Sequence, residues 1–161
     1  MEPAETANMP RIEGRIDIAT GATRVFRFCH DADHRAEWDE RVSRAQVLTP
    51  GPVRRGTVLR FDTDPAGSAV FSWDAEVVSF QFPNSSTLKV TDVAPSSTFV
   101  SGSEAWRFEG SGGSTRLSVV WEYEPRGIIG RVLDVLVRRR TNANVLQQSL
   151  KNVKMEMEGE G

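Results

Sequence analysis

Apolar and polar residues alternate from Arg11 to Ile18. Ile12, Ile16 and Ile18 share one face with Gly14, and Arg11, Glu13, Arg15 and Asp17 take the other. A period of two predicts a half-buried strand. The period then lengthens. Val25, Phe26 and Cys29 form an apolar stripe at helical spacing behind Thr20, an N-capping residue type, which predicts a helix from about Ala22. Asp31 to Asp33 breaks it, and a second short helix is predicted from Asp33 to about Arg41, carrying Trp38. From there the pattern is that of strands: Val42–Leu48, Gly56–Asp64, Val70–Phe80, Leu88–Val93, Phe99–Glu109 and Thr115–Glu124. They are separated by the turn signals Pro50-Gly51-Pro52, Pro65-Ala66-Gly67, Pro83-Asn84-Ser85, Pro95 and Gly110-Ser111-Gly112-Gly113. After Pro125 the character changes again. Ile128, Val132, Val135, Arg139, Ala143, Leu146, Leu150 and Val153 recur at steps of three and four without proline, which predicts one amphipathic helix from Gly127 to about Met157.

The order is strand, two short helices, six strands, one long helix: an α+β class. Consecutive strands on short turns pair antiparallel. The apolar face of such a sheet needs a cover, and the terminal helix carries a matching stripe. A seven-stranded sheet curls, a straight helix follows it along part of its length only, and the remaining space is a candidate cavity. Parity places Phe71, Trp73, Ala75 and Val77 on the inner face, with Trp106 and Phe108 and with Leu117, Val119, Trp121 and Tyr123. Residues 1–10 read as a disordered leader, 11–157 as a single domain and 158–161 as a frayed tail.

Composition narrows the classes. The chain has 161 residues, 39% hydrophobic and 26% charged, an ordinary globular balance. A net charge of -2 lacks the broad positive field of a nucleic-acid binder, so no nucleic-acid partner is expected. One cysteine, Cys29, excludes an intrachain disulfide, and the polar N-terminus has no signal-peptide pattern, so a cytoplasmic protein is expected.

Three stretches carry a family resemblance: Ile16–Phe26, Arg35–Val42 with its Trp38-Asp39 pair, and Gly127–Arg140 continuing through Leu150–Lys154. The chain resembles the Bet v 1-like helix-grip superfamily (SRPBCC), in particular the bacterial polyketide cyclase/dehydrase and lipid-transport group, related to START domains. The resemblance spans residues 11–157. It implies a helix-grip fold, a curved seven-stranded antiparallel sheet wrapped around a long C-terminal helix with two short helices after the first strand. It also implies a hydrophobic ligand cavity, and family members differ in ligand, many being binders only. Trp38-Asp39 matches the family's Trp-Asp pair near the cavity mouth. The acid–base constellations of characterised aromatase/cyclases find no match here.

Candidate chemistry is sparse. His30 and His34 have the i, i+4 spacing of zinc helices, but Asp31 and Asp33 mark a helix end and a new cap, which makes the imidazoles diverge; they read as exposed loop histidines, and neither a metal nor another cofactor is expected. Glu104 shares the inward parity of Trp106 and Phe108. In an apolar pocket its pKa would rise and it could serve as acid or base; it could equally sit at the rim or pair with an arginine. Asp92 has the same inward parity with Leu88 and Val90. Arg139 falls on the apolar stripe, where it either reaches a ligand head or snorkels to solvent. Cys29 reads as a buried small hydrophobe.

The expected function is binding of a small hydrophobic or amphipathic ligand, such as a lipid, polyketide or isoprenoid. The resemblance makes Trp38, Phe71, Trp73, Trp106, Phe108, Trp121 and Tyr123 its lining; without a guest the same aromatics would fill a core. One alternative is a cyclase or dehydratase with Glu104 as the catalytic acid, another a protein-interaction or regulatory module. Arg126, Arg131, Arg138, Arg139 and Arg140, beside Ile128 and Ile129, form either a solvated face or a transient contact with an anionic membrane. The oligomeric state stays open.

Overall fold

The computed structural model describes residues 9–63 and 71–159. The predicted turn Pro65-Ala66-Gly67 and most of the predicted leader lie outside the described residues. In chain order the elements are β1 (Arg11–Ile18), α1 (Ala22–Cys29), α2 (Ala32–Trp38), β2 (Arg44–Val47), β3 (Val58–Thr63), β4 (Phe71–Gln81), β5 (Ser85–Val93), β6 (Phe99–Ser111) and β7 (Ser114–Pro125). A helical rod follows, made of α3 (Gly127–Leu133), a π-helical turn over Asp134–Arg138, and α4 (Arg139–Gly159). The strands form one antiparallel sheet in the order β1-β7-β6-β5-β4-β3-β2. The chain thus crosses from one edge to the other between β1 and β2, through α1 and α2. This is the expected helix-grip architecture.

Alternation fixes the inner face. One row runs across four strands in register: Trp121 on β7 faces Glu104 on β6, Glu104 faces Leu88 on β5, and Leu88 faces Val77 on β4. A one-residue slip would turn these residues outward, so burial of the row specifies the register. Gly112 and Gly113 (φ +54° and +87°) close the β6–β7 hairpin, a backbone that only residues tolerant of positive φ adopt. α4 covers β1 through Leu146, Leu150, Val153 and Met157, all buried. Each such aliphatic side chain contributes about 1.5–3 kcal/mol by burial. Gly14 makes that approach possible: a Cβ there would lie 2.9 Å from Leu150 Cδ1.

Several expectations are corrected. Thr20 does not cap α1; Gly21 is the N-cap, and the Thr20 hydroxyl is buried, donating to the Met157 carbonyl at 3.4 Å. Asp31, not Asp33, caps α2 by accepting from Asp33 N at 3.0 Å. β5 starts at Ser85, because the polar Ser85-Ser86-Thr87 run pairs with β6. The tail is not frayed at Glu158, which lies in α4 and accepts from Ala19 N at 2.8 Å. Pro10 is buried, and its carbonyl accepts from Tyr123 N.

The largest correction concerns the rod. Ile128, Val132 and Val135 do not continue the stripe of α4; they are exposed. The π turn holds more residues per turn than the α-helix. Over its five residues it shifts the phase by roughly one residue, about 100°. The inner face ahead of it is therefore Gly130 and Asp134, both buried.

Candidate functional site

A cavity of ≈ 250 Å³ lies between the sheet and the rod. Its floor alternates out of five strands: Phe61 from β3, Phe71 and Trp73 from β4, Leu88 and Val90 from β5, Phe99, Gly102 and Glu104 from β6, Trp121 and Tyr123 from β7. Asp134, Arg138, Asn142 and Val145 of the rod close the other side, and Glu40 and Arg41 reach in from the segment after α2. Gly102, in the floor beside Tyr123, lets β6 and β7 approach closely: a Cβ there would sit 2.8 Å from the Glu122 carbonyl oxygen.

Two polar clusters interrupt the apolar wall. The first joins Arg35, Asp39, Arg41 and Glu104. Asp39, fully buried, accepts from Arg35 Nε and Arg41 Nη2 at 2.8 Å and from Arg41 Nε at 3.0 Å. Glu104 accepts from Arg41 Nη1 at 2.8 Å, from Trp106 Nε1 at 3.1 Å and from Arg35 Nη2 at 3.4 Å. The guanidiniums stack on aromatic faces, Arg41 over Trp121 at 4.6 Å and Arg35 over Trp38 at 4.9 Å. Two cations and two anions compensate one another. Burial pushes both carboxyls up, but the Arg41 and Arg35 charges outweigh it and hold Asp39 and Glu104 below the usual carboxylate range. Glu104 faces the cavity, and of the two readings the pairing with arginine is the one found: its neighbours are guanidiniums rather than hydrocarbon alone, so its pKa falls instead of rising.

The second cluster sits one inward pair farther along β7, about 7 Å from the first by strand rise. The Tyr123 hydroxyl donates to Asp134 Oδ1, and Asp134 Oδ2 accepts from Arg139 Nε at 2.9 Å, with Arg139 Nη2 at the same distance in an ion pair. Burial first, then the bond to Asp134, pushes the Tyr123 phenol well above its ordinary value, so it remains a proton-bearing donor. Arg139 pairs with Asp134, and its side chain stays about half exposed. Arg138 lines the cavity close by, and among the described residues no carboxylate pairs with it.

Phe71, Trp73, Trp121, Tyr123 and Glu104 therefore come together around one space. Trp38 and Phe108 are core residues outside that wall, and Trp106 borders a much smaller void beside α1 and α2. Trp38 packs edge-on against Trp106, its ring centroid 5.7 Å away. Asp92 is exposed, because a bulge between Asp74 and Ala75 flips the parity of β5 beyond Val90. His30 is not an exposed loop residue. It stacks on Phe26 at 4.1 Å, with Nδ1 2.7 Å from the Phe26 carbonyl and Nε2 2.7 Å from Ser86 Oγ, and burial pushes its pKa down to about 4. His34 instead meets Glu37 at 2.8 Å. The two imidazoles face different partners, and among the described residues no three metal-ligating side chains gather. Cys29 is buried and its thiol is pushed up to about 12 by that burial. Phe61, Phe99, Arg41, Asp134 and Asn142 escaped the sequence reading. The inward parity of Leu59, Phe61 and Thr63 could have revealed Phe61, and the lone acid in Val132–Val137 could have flagged Asp134.

Residues 9–158 match the family described as polyketide cyclase / dehydrase and lipid transport. The chain belongs to this family. Solved structures agree on the fold of this family member. A protein from Thermus thermophilus, TTHA0849, superposes with a TM-score of 0.77 at 19% identity, covering 94% of this chain and 99% of that one. The Zhui aromatase/cyclase from a Streptomyces species gives 0.70 at 18%, covering 95% and 99%. A START superfamily protein from Mycobacterium smegmatis gives 0.73 at 15%, covering 94% and 99%. At such identities the likeness is one of fold. No curated protein sequence matches the chain.

Proposed function

We propose that this family member binds one small amphipathic molecule, of lipid, polyketide or isoprenoid type, between the sheet and the rod. The observation that carries the reading is the cavity walled by Phe61, Phe71, Trp73, Phe99 and Trp121, with its charged side chains gathered at Glu40, Arg41 and Glu104 and at Asp134 and Arg138. The apolar body would lie among the rings, where burial contributes roughly 25 cal/mol per Å² before ordering costs. The charges at Arg41/Glu104 and at Asp134/Arg139 are already compensated, so those clusters favour neutral groups. Arg138 and the Tyr123 end suit a carbonyl, hydroxyl or weakly acidic head. Titration with fatty acids, isoprenoids and polycyclic phenols, followed by tryptophan emission, tests this. Saturable one-to-one quenching that Trp73→Phe alters supports it, and no response to any class counts against it.

The cyclase or dehydratase reading shifts residue. Glu104 is held ionised and engages three donors, which removes it as a proton source. Tyr123 supports the reading instead, because its phenol keeps its proton, borders the cavity and would act as the donor by turning that proton from Asp134 to the guest. Turnover lost in Tyr123→Phe with guest affinity kept would support that reading; turnover unchanged in that variant would remove it.

A further inference from the structure

The segment Arg126–Arg140 turns its apolar side chains away from the protein. Ile128, Ile129 and Leu136 are 81%, 77% and 71% exposed, and Val132, Val135 and Val137 are more than half exposed. Only Gly130 and Asp134 of this segment are buried. A monomer in water gains nothing from such a patch. The charges on the same stretch are one-sided. Arg131 and Arg140 are exposed, Arg131 3.8 Å from the half-exposed Glu124 of β7, while the single acid of the segment, Asp134, is buried and compensated by Arg139. We propose that this segment is an interfacial helix that docks the protein onto an anionic lipid bilayer, apolar side chains entering the acyl boundary and arginines meeting the headgroups.

Charge complementarity selects that occupant. A second copy seated face to face by a two-fold axis would bring together two arginine-bearing stretches whose one acid, Asp134, is buried, which costs stability. Among the described residues no helix is long and apolar enough to cross a membrane, so the contact lies in the interface plane. Asp134 and Arg138 of the same segment also close the cavity. If the binding reading above holds, the docked face is the outer side of the cavity's roof, and an apolar guest could pass between bilayer and protein without crossing water.

The test is flotation of the full chain with vesicles of phosphatidylcholine alone or mixed with phosphatidylglycerol. Binding to the mixed vesicles only, weakened by salt, is expected. Arg131→Ala and Arg140→Ala should each reduce it about fivefold. Ile128→Ser with Leu136→Ser should reduce it about tenfold or more, with the thermal midpoint unchanged because both side chains are exposed. No flotation with either vesicle overturns the proposal. So does flotation indifferent to phosphatidylglycerol, or a vesicle-free dimer that the double serine variant dissolves. Guest uptake is measured separately in vesicle-free solution, so a failed cavity and a failed docking face give different results.

Discussion

Arg41 and Glu104 meet at 2.8 Å in the cavity wall, one from the segment after α2 and the other from the middle of β6. Their side chains are only 9% and 13% exposed, so the pair is desolvated and depends on its surroundings. Asp39 and Arg35 complete it, and the Trp121 and Trp106 rings enclose it. The cluster ties α2 and the following loop to the sheet at the level where the cavity begins.

Glu104→Gln leaves the two guanidiniums with one carboxylate between them. Removing one partner of a buried pair costs about 3–5 kcal/mol. Urea unfolding should show a loss of that order. If Glu104 is structural, any guest affinity or turnover that survives in the folded fraction of this variant should be near the native value.

His30 sets an acid limb. The unfolded chain takes a proton on it below pH 6.5, the folded chain only near pH 4. Between those values the unfolded state binds more protons, so stability falls as pH drops through that window and is unaffected by this group above it. His30→Asn should flatten the stability profile between pH 6.5 and about 4. An unchanged slope in thermal melts across the window would remove His30 as the cause.

Gly14→Val introduces branching where a bare Cβ already lies 2.9 Å from Leu150 Cδ1 and 3.2 Å from Leu146. Either α4 backs away from β1 or the leucines leave their rotamers. A loss of about 1–3 kcal/mol is expected in urea unfolding.

Tyr123→Phe removes the phenol that donates to Asp134, while Arg139 still pairs with that carboxylate. Stability should fall by about 1 kcal/mol. Affinity for guests bearing a hydroxyl, from which the phenol oxygen can accept while its proton stays on the Asp134 bond, should fall more than affinity for their hydrocarbon analogues, as paired titrations would record.

Local periodicity carried much of this architecture. The alternation in β1 and β4 and the stripe Leu146–Leu150–Val153 state directly which side meets the core, and the Gly-Gly hairpin needs no tertiary information. What periodicity could not give depends on single-residue insertions. The bulge at Asp74/Ala75 turned Asp92 outward, and the π turn rotated Ile128, Val132 and Val135 away from the sheet. Each adds a phase change that no composition signal marks. The environment of Glu104 was equally hidden: its parity was readable, but the approach of Arg41, distant in sequence, is a product of the fold.

Native mass spectrometry of the purified chain, before and after challenge with fatty acids, isoprenoids and polycyclic phenols, tests the central claim most directly. The account predicts a one-to-one complex with at least one of these classes. It also predicts that Val90→Trp, which fills the cavity from β5, abolishes the complex while the chain stays folded. A bare mass throughout, or a complex that persists undiminished in folded Val90→Trp, would contradict a guest in this cavity.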